Sequence, residues 1–522
     1  MSDAVTVADE LLAALAPLDP DAALARGDTP EDLMPRLAPE HFAQRRAVME
    51  QALRSLDPPS ETVMPLAAVL RERLGSDLAL DNAGFTRALL APLATPVHAV
   101  RDVFDKLPAD DWPAIGRHLE LVPGALRDYA ATLSTSSRVV ARRQVLGAAA
   151  QCSKWVDPAR DDFYRRLVAD RPELHAAADR ASEATDEFAA FLREQLLPRA
   201  PETDAAGREL YTATSRAFLG DDVDLEDTYA FGWDELSRLT SEMEQIARDL
   251  GHDSAKEAAT ALDQRSALTG PDELVGWLQT RVDEVVDAID SVHVDLPPQA
   301  RRPECRISPT SVGVMYYSAP DPAFTRPGQI WWSPSASGRS HPWREVTTVH
   351  HEGVPGHHLQ LTVALAEPEL HPWHRSMVHV HGHAEGWAHY AERWADEIGL
   401  LRDPAERLGM LYGQRWRAAR IVIDMGLHLG YPIPGTGESW TPERGVQVLR
   451  QASGCDETTA RFEIDRYLGW PGQALAFRVG ARLWRELRDR AAARPGSDLR
   501  EFHTRALRLG TMGLGTLRDV LG

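Results

Sequence analysis

The sequence predicts a mainly α-helical body carrying one small β patch, and three observations point there. Apolar residues recur every three to four positions over most of the chain, as in Phe163, Leu167, Leu174 and Ala177, and again in Phe188, Phe191, Leu192 and Leu196. Turn-forming clusters punctuate these stretches at Asp57-Pro58-Pro59-Ser60, at Pro198 and Pro201, at Gly251-His252-Asp253-Ser254 and at Leu296-Pro297-Pro298. Only residues 312–317 (Val-Gly-Val-Met-Tyr-Tyr) and Gln329-Ile330-Trp331-Trp332 show the β-branched and aromatic enrichment of strands. With 522 residues the chain exceeds one ordinary core, so two subdomains or one multi-lobed helical body are expected.

Composition narrows the function classes. Lys and Arg number 57 against 78 Asp and Glu, a formal charge of −21, which offers little to a phosphate backbone and sets nucleic-acid binding aside. At 43% hydrophobic and 26% charged the chain is globular in composition. Cys152, Cys305 and Cys455 are too few and too scattered for a disulfide framework or a cysteine zinc cluster. No run of about 18 apolar residues suits a membrane span, and the acidic start Met1-Ser2-Asp3 is unlike a secretory leader. The expectation is a cytoplasmic protein without nucleic-acid or membrane partners; the sequence does not fix an oligomeric state.

Taken in order, residues 1–200 read as a helical cover, with helices over 5–15, 42–56 and from Trp112 onward, and residues 201–522 as the catalytic region. Asp110 and Asp111, just ahead of Trp112, read as a solvated helix start. The two strand-like runs, parted by Pro320-Asp321-Pro322 and Arg326-Pro327-Gly328, read as a hairpin whose edge could pair with an extended peptide.

The densest chemistry follows at Val349-His350-His351-Glu352-Gly353-Val354-Pro355-Gly356-His357-His358-Leu359-Gln360. Imidazoles with a carboxylate are the ligand set of catalytic zinc. The familiar zinc-protease spacing of four residues between histidines is absent. His351 and His357 are six apart, which on an unbroken helix means a rise of about 9 Å and different faces. Gly353, Pro355 and Gly356 supply the means to bend, so a kink or widened turn is predicted between Glu352 and His357. A second cluster, His379-Val380-His381-Gly382-His383-Ala384-Glu385-Gly386-Trp387-Ala388-His389-Tyr390-Ala391-Glu392, would place Glu385, His389 and Glu392 on one helix face. Glu385 is the preferred third ligand, because Gly386 and Ala388 leave space around it and Trp387 packs behind; His381 and His383 are the rivals.

Together with Arg417-Ala418-Ala419-Arg420 running to Asp424-Met425-Gly426-Leu427-His428, and Tyr467-Leu468-Gly469-Trp470-Pro471-Gly472-Gln473, these motifs resemble the bacterial domain of unknown function 885 family. That family is itself similar to the helical gluzincin metallopeptidases such as thimet oligopeptidase and angiotensin-converting enzyme. The resemblance implies two helical lobes around a deep cleft, with Zn2+ on its floor held by His351, His357 and Glu385, and Glu352 as general base. The family stretches the gluzincin spacing by two residues, which leaves His358 as an alternative to His357. Phe477 stands where family members often carry tyrosine, so a phenol is lost there.

Zinc with three protein ligands keeps an open position for water. Oxyanion donors are sought among Tyr467, His428 and Arg420, with Tyr467 first by analogy with gluzincins. Asp424 stands four residues before His428, spaced to orient it by a hydrogen bond. Gln473 and Tyr317 are candidate substrate contacts, and Arg420 could take a free C-terminal carboxylate. The leading expectation is zinc-dependent hydrolysis of peptide bonds in short peptides, of carboxypeptidase or oligopeptidase type. Its rivals are amide hydrolysis in a small metabolite and a non-catalytic metal-binding helical protein.

Overall fold

The computed structural model describes residues 3–56, 65–265, 267–308, 315–333 and 338–522, and these are mainly helical, as expected. Helices at Ala4–Leu15, Pro39–Ser55 and Trp112–Thr135 correspond to those read in the N-terminal region. Asp111 caps the last of these, its carboxylate accepting from the Ala114 amide at 3.0 Å. One apolar core gathers Met34, Leu37, Phe42 and side chains from Leu90 to Leu196, with Phe104, Tyr129, Tyr164 and Phe188 at its centre. A larger core joins the first helix and Val69, Leu70 and Leu74 to the C-terminal helices, around Trp332, Trp387 and Trp484. Among the described residues no helix is long and apolar enough to cross a membrane.

The β patch is a three-stranded sheet. Tyr316–Ser318 runs antiparallel to Gln329–Trp332, with Tyr317 opposite Ile330. Glu304–Ile307, which the sequence did not reveal as a strand, pairs in parallel on the other side of Gln329–Trp332. The central position explains why Ile330 and Trp332 are fully buried. Val312, Gly313 and Val314, part of the expected first strand, lie outside the described residues.

Two close approaches set the C-terminal helices. Helix His381–Glu397 crosses helix Ala476–Ala492 at glycines on both sides: a Cβ on Gly386 would stand 2.5 Å from Gly480 Cα, and one on Gly480 would stand 2.0 Å from the Gly382 carbonyl oxygen. Backbone meets backbone there, so neither neighbour can turn aside. Gly386→Ala is therefore expected to lower stability by about 1–3 kcal/mol, the usual cost of overpacking, read as a lower denaturation midpoint.

Candidate metal centre

The expected bend between the histidines is present, and it begins earlier than the proline. Helix Pro342–Thr348 runs into a single widened π turn over Val349–Gly353, the chain breaks at Val354-Pro355-Gly356, and a new helix covers His357–Ala366. Gly356 is required sterically, because a Cβ would lie 1.9 Å from the His351 carbonyl oxygen. The break is pinned from behind by Trp387, whose indole N–H donates to the Pro355 carbonyl at 2.9 Å. One side chain thus ties the loop between the two histidines to the helix that carries Glu385.

The bend brings together what six residues of regular helix would part. His351 Nε2 and His357 Nε2 stand 3.3 and 3.4 Å from the same oxygen, Glu385 Oε2. All three donor atoms lie within 4.8 Å of one another. That oxygen is buried and has no hydrogen-bond partner among the described residues. Donors about 2.0–2.1 Å from a tetrahedral zinc are themselves about 3.4 Å apart, so the residues fit a zinc ion. His358 does not share the site. Its Nε2–H donates to the Ala300 carbonyl at 2.9 Å and its Nδ1 faces the Tyr317 hydroxyl at 3.0 Å. Nor do the rivals to Glu385: His383 Nδ1 accepts from the Met512 amide, and His381 packs against Phe218 and Trp470.

Behind the trio stands a buried polar network. His351 Nδ1–H donates to Glu392 Oε1 at 2.7 Å, and the other Glu392 oxygen accepts from Gln414 at 2.6 Å. His389 is close to Glu392 as well, but its Nε2 accepts from Arg478 and its Nδ1 faces Gln414. These contacts make His351, His389 and Glu392 a hydrogen-bonded support, with the far nitrogen of His351 left to aim at Glu385. Arg478 is tied in turn to Glu235. Glu392→Gln is expected to weaken zinc affinity about 10–100-fold by loosening the His351 ring, measured by competition with a chromogenic chelator.

The electrostatics follow burial and partners. Burial alone would push the His351 imidazole down, but its contacts with Glu385 and Glu392 outweigh it and raise it to about 9. Glu385 and Glu392 resist burial in the same way, each held well below the usual carboxylate range by facing imidazoles. Glu352 differs: burial raises it, opposed by His351 and His357. It is the carboxyl at the site whose proton affinity is moved toward neutral pH.

Several expected roles are corrected by the surroundings. Asp424 does not orient His428: the closest atoms are 3.7 Å apart, and Asp424 Oδ2 instead accepts from the Tyr211 hydroxyl at 2.6 Å and the Gly472 amide at 2.9 Å. His428 is committed to backbone on both nitrogens, accepting from Ala206 N and donating to the Tyr467 carbonyl. Tyr467 donates its hydroxyl proton to Glu463 at 2.7 Å and accepts from Arg420 Nε at 2.9 Å. Neither His428 nor Tyr467 has a hydrogen left to offer an oxyanion. Gln473 accepts from Arg466 through its amide oxygen, and the Tyr317 hydroxyl is taken up by His358 and Thr362. Arg420 keeps one nitrogen, Nη1, without a partner.

Phe477 packs between His351 and Arg420. Its ring lies nearly parallel to His351 with centroids 6.1 Å apart, and the Arg420 guanidinium sits over it at 4.6 Å. Two residues given no role in the sequence also border the site. His379 is solvent-exposed and lies within electrostatic reach of Glu385 and His357, and Arg417 lies within reach of Glu352, Glu385 and Glu392. Both left a trace in the sequence without a role, His379 at the head of the second histidine cluster and Arg417 at helical spacing from Arg420.

A family model described as bacterial protein of unknown function (DUF885) matches residues 20–521. No curated protein matches the chain. Two solved structures, each of a protein described as a "putative lipoprotein", share the fold. The one from Colwellia psychrerythraea is 20% identical with a TM-score of 0.83, covering 100% of this chain and 99% of its own. The one from Shewanella oneidensis, of unknown function, is 19% identical with a TM-score of 0.72 and full coverage of both chains.

Proposed function

This chain belongs to the DUF885 family of bacterial proteins of unknown function, and for it we propose zinc-dependent hydrolysis of peptide bonds in short peptides. The observation that carries the reading is the meeting of three donor atoms from His351, His357 and Glu385 on one point, with a second carboxyl, Glu352, directly after His351 in sequence and not among the three. Zinc held there would acidify water and polarise a carbonyl. Glu352 takes the proton of the attacking water and returns it to the departing amine nitrogen, a task suited to a carboxyl raised by burial. Glu392 and Gln414 keep the His351 ring from turning while this happens.

The reading extends to shape. A gluzincin-like cleft between helical lobes would admit an extended peptide, and the edge position of strand Tyr316–Ser318 gives its backbone a partner to pair with. The test is turnover of a library of short peptides, with amide-containing metabolites beside it, by the zinc-loaded full chain. Peptide cleavage that stops on chelation and returns with zinc is expected. Cleavage indifferent to chelator, or confined to the metabolites, would contradict the reading.

A further inference from the structure

Two polar atoms on facing helices are buried without any partner among the described residues. Thr347 Oγ1 lies at the end of helix Pro342–Thr348, directly before the widened turn, and Arg417 Nε lies on helix Pro404–Leu429. They border one spot: a Cβ on Gly413 would stand 3.4 Å from Arg417 Nη1 and 3.8 Å from Thr347 Oγ1. Glycine at 413 leaves that space open. Among the described residues Arg417 makes no ion pair, although Arg420, Arg466 and Arg478 nearby all do. Its one hydrogen bond among the described residues is a long contact of 3.4 Å to the Gly413 carbonyl. Arg417 and Arg420 share the Phe477 ring, with guanidinium carbons 5.5 and 4.6 Å from its centroid, and Arg420 Nη1 is the third unpartnered donor of the group.

Folded proteins seldom leave a guanidinium and a hydroxyl buried and unsatisfied side by side, and the ligand that satisfies both is an anionic oxygen pair. Among the described residues no carboxylate serves: Glu392 and Glu463 are already bonded elsewhere, Glu385 faces the two imidazoles, and Glu352, though within electrostatic reach, makes no ion pair with Arg417. We propose that Arg417, with Thr347 and Arg420 Nη1, forms a receptor for the free C-terminal carboxylate of the substrate, so that the chain acts on peptides close to their C-terminus. This rests on the hydrolase reading for the word substrate, but the receptor itself requires no metal.

The test compares binding of N-acetyl-trialanine with its C-terminal amide to the full-length Glu352→Gln protein, by titration calorimetry with and without zinc. The acid is expected to bind at least tenfold more tightly than the amide in both conditions. Arg417→Ala should reduce that ratio to near one while zinc content and thermal midpoint stay unchanged, and Arg417→Lys should restore part of it. Equal affinity of wild-type Arg417 protein for acid and amide would overturn the receptor, as would an acid preference that survives Arg417→Ala. Loss of zinc binding with the acid preference intact would instead overturn the hydrolase reading and leave the receptor standing.

Discussion

Glu352→Gln is expected to leave the zinc stoichiometry of the protein unchanged and to lower kcat for peptide hydrolysis by about 10²–10⁴-fold, the range in which a positioned general base contributes. The amide keeps the size of the carboxylate but accepts no proton. Glu352 sits in the widened turn directly after His351, and its oxygens are not among the converging donors. The separation of effects is therefore the informative result. A variant that loses zinc along with activity would make Glu352 a ligand, and one that keeps full activity would remove it from the reaction.

The second large effect concerns the choice between adjacent histidines. His357→Ala should cost roughly a thousandfold in zinc affinity, about a quarter to two-fifths of the 10–16 kcal/mol that complete zinc sites supply. His358→Ala should leave zinc binding within a few-fold of wild type. It should instead lower stability by about 1–3 kcal/mol, because the Ala300 carbonyl and the Tyr317 hydroxyl lose a buried partner. Dialysis against buffered zinc, followed by metal analysis and a denaturation curve for each variant, reads both outcomes. Zinc lost on replacing His358 and kept on replacing His357 would reverse the assignment.

The need for a bend was legible, because Pro355 and its flanking glycines cannot continue a helix and six residues cannot keep two imidazoles on one face. The choice between His357 and His358 was not. Neighbouring helical positions differ by about 100°, and the phase of the second helix is set by the chain break and by the Trp387 bond to Pro355, a contact between distant segments. The approach of Glu385 to the imidazoles was expected, but not for the reason the sequence offered: the space that Gly386 leaves is taken by the backbone of Gly480 on another helix.

Spacing misled where it stood in for distance. Asp424 and His428 share a helix face, yet Tyr211 and Gly472 claim the carboxylate and backbone groups claim the imidazole. Tyr467 sits in the expected helix, but the carboxylate one turn before it, Glu463, receives its proton. Helical periodicity places such residues on a face without saying what the opposite face presents. The parallel strand Glu304–Ile307 escaped notice because, although Glu-Cys-Arg-Ile alternates polar with apolar, four residues are too few for that period to stand out from a loop.

The central claim is that one zinc ion is held jointly by residues on either side of the chain break and by a carboxylate from another helix. X-ray absorption at the zinc edge of the loaded full chain tests it most directly. The expected spectrum shows two imidazoles and light oxygen scatterers at about 2.0–2.1 Å, with one imidazole lost in His357→Ala. A spectrum with a sulfur shell, or one unchanged by replacing His351, His357 or Glu385, would contradict the account.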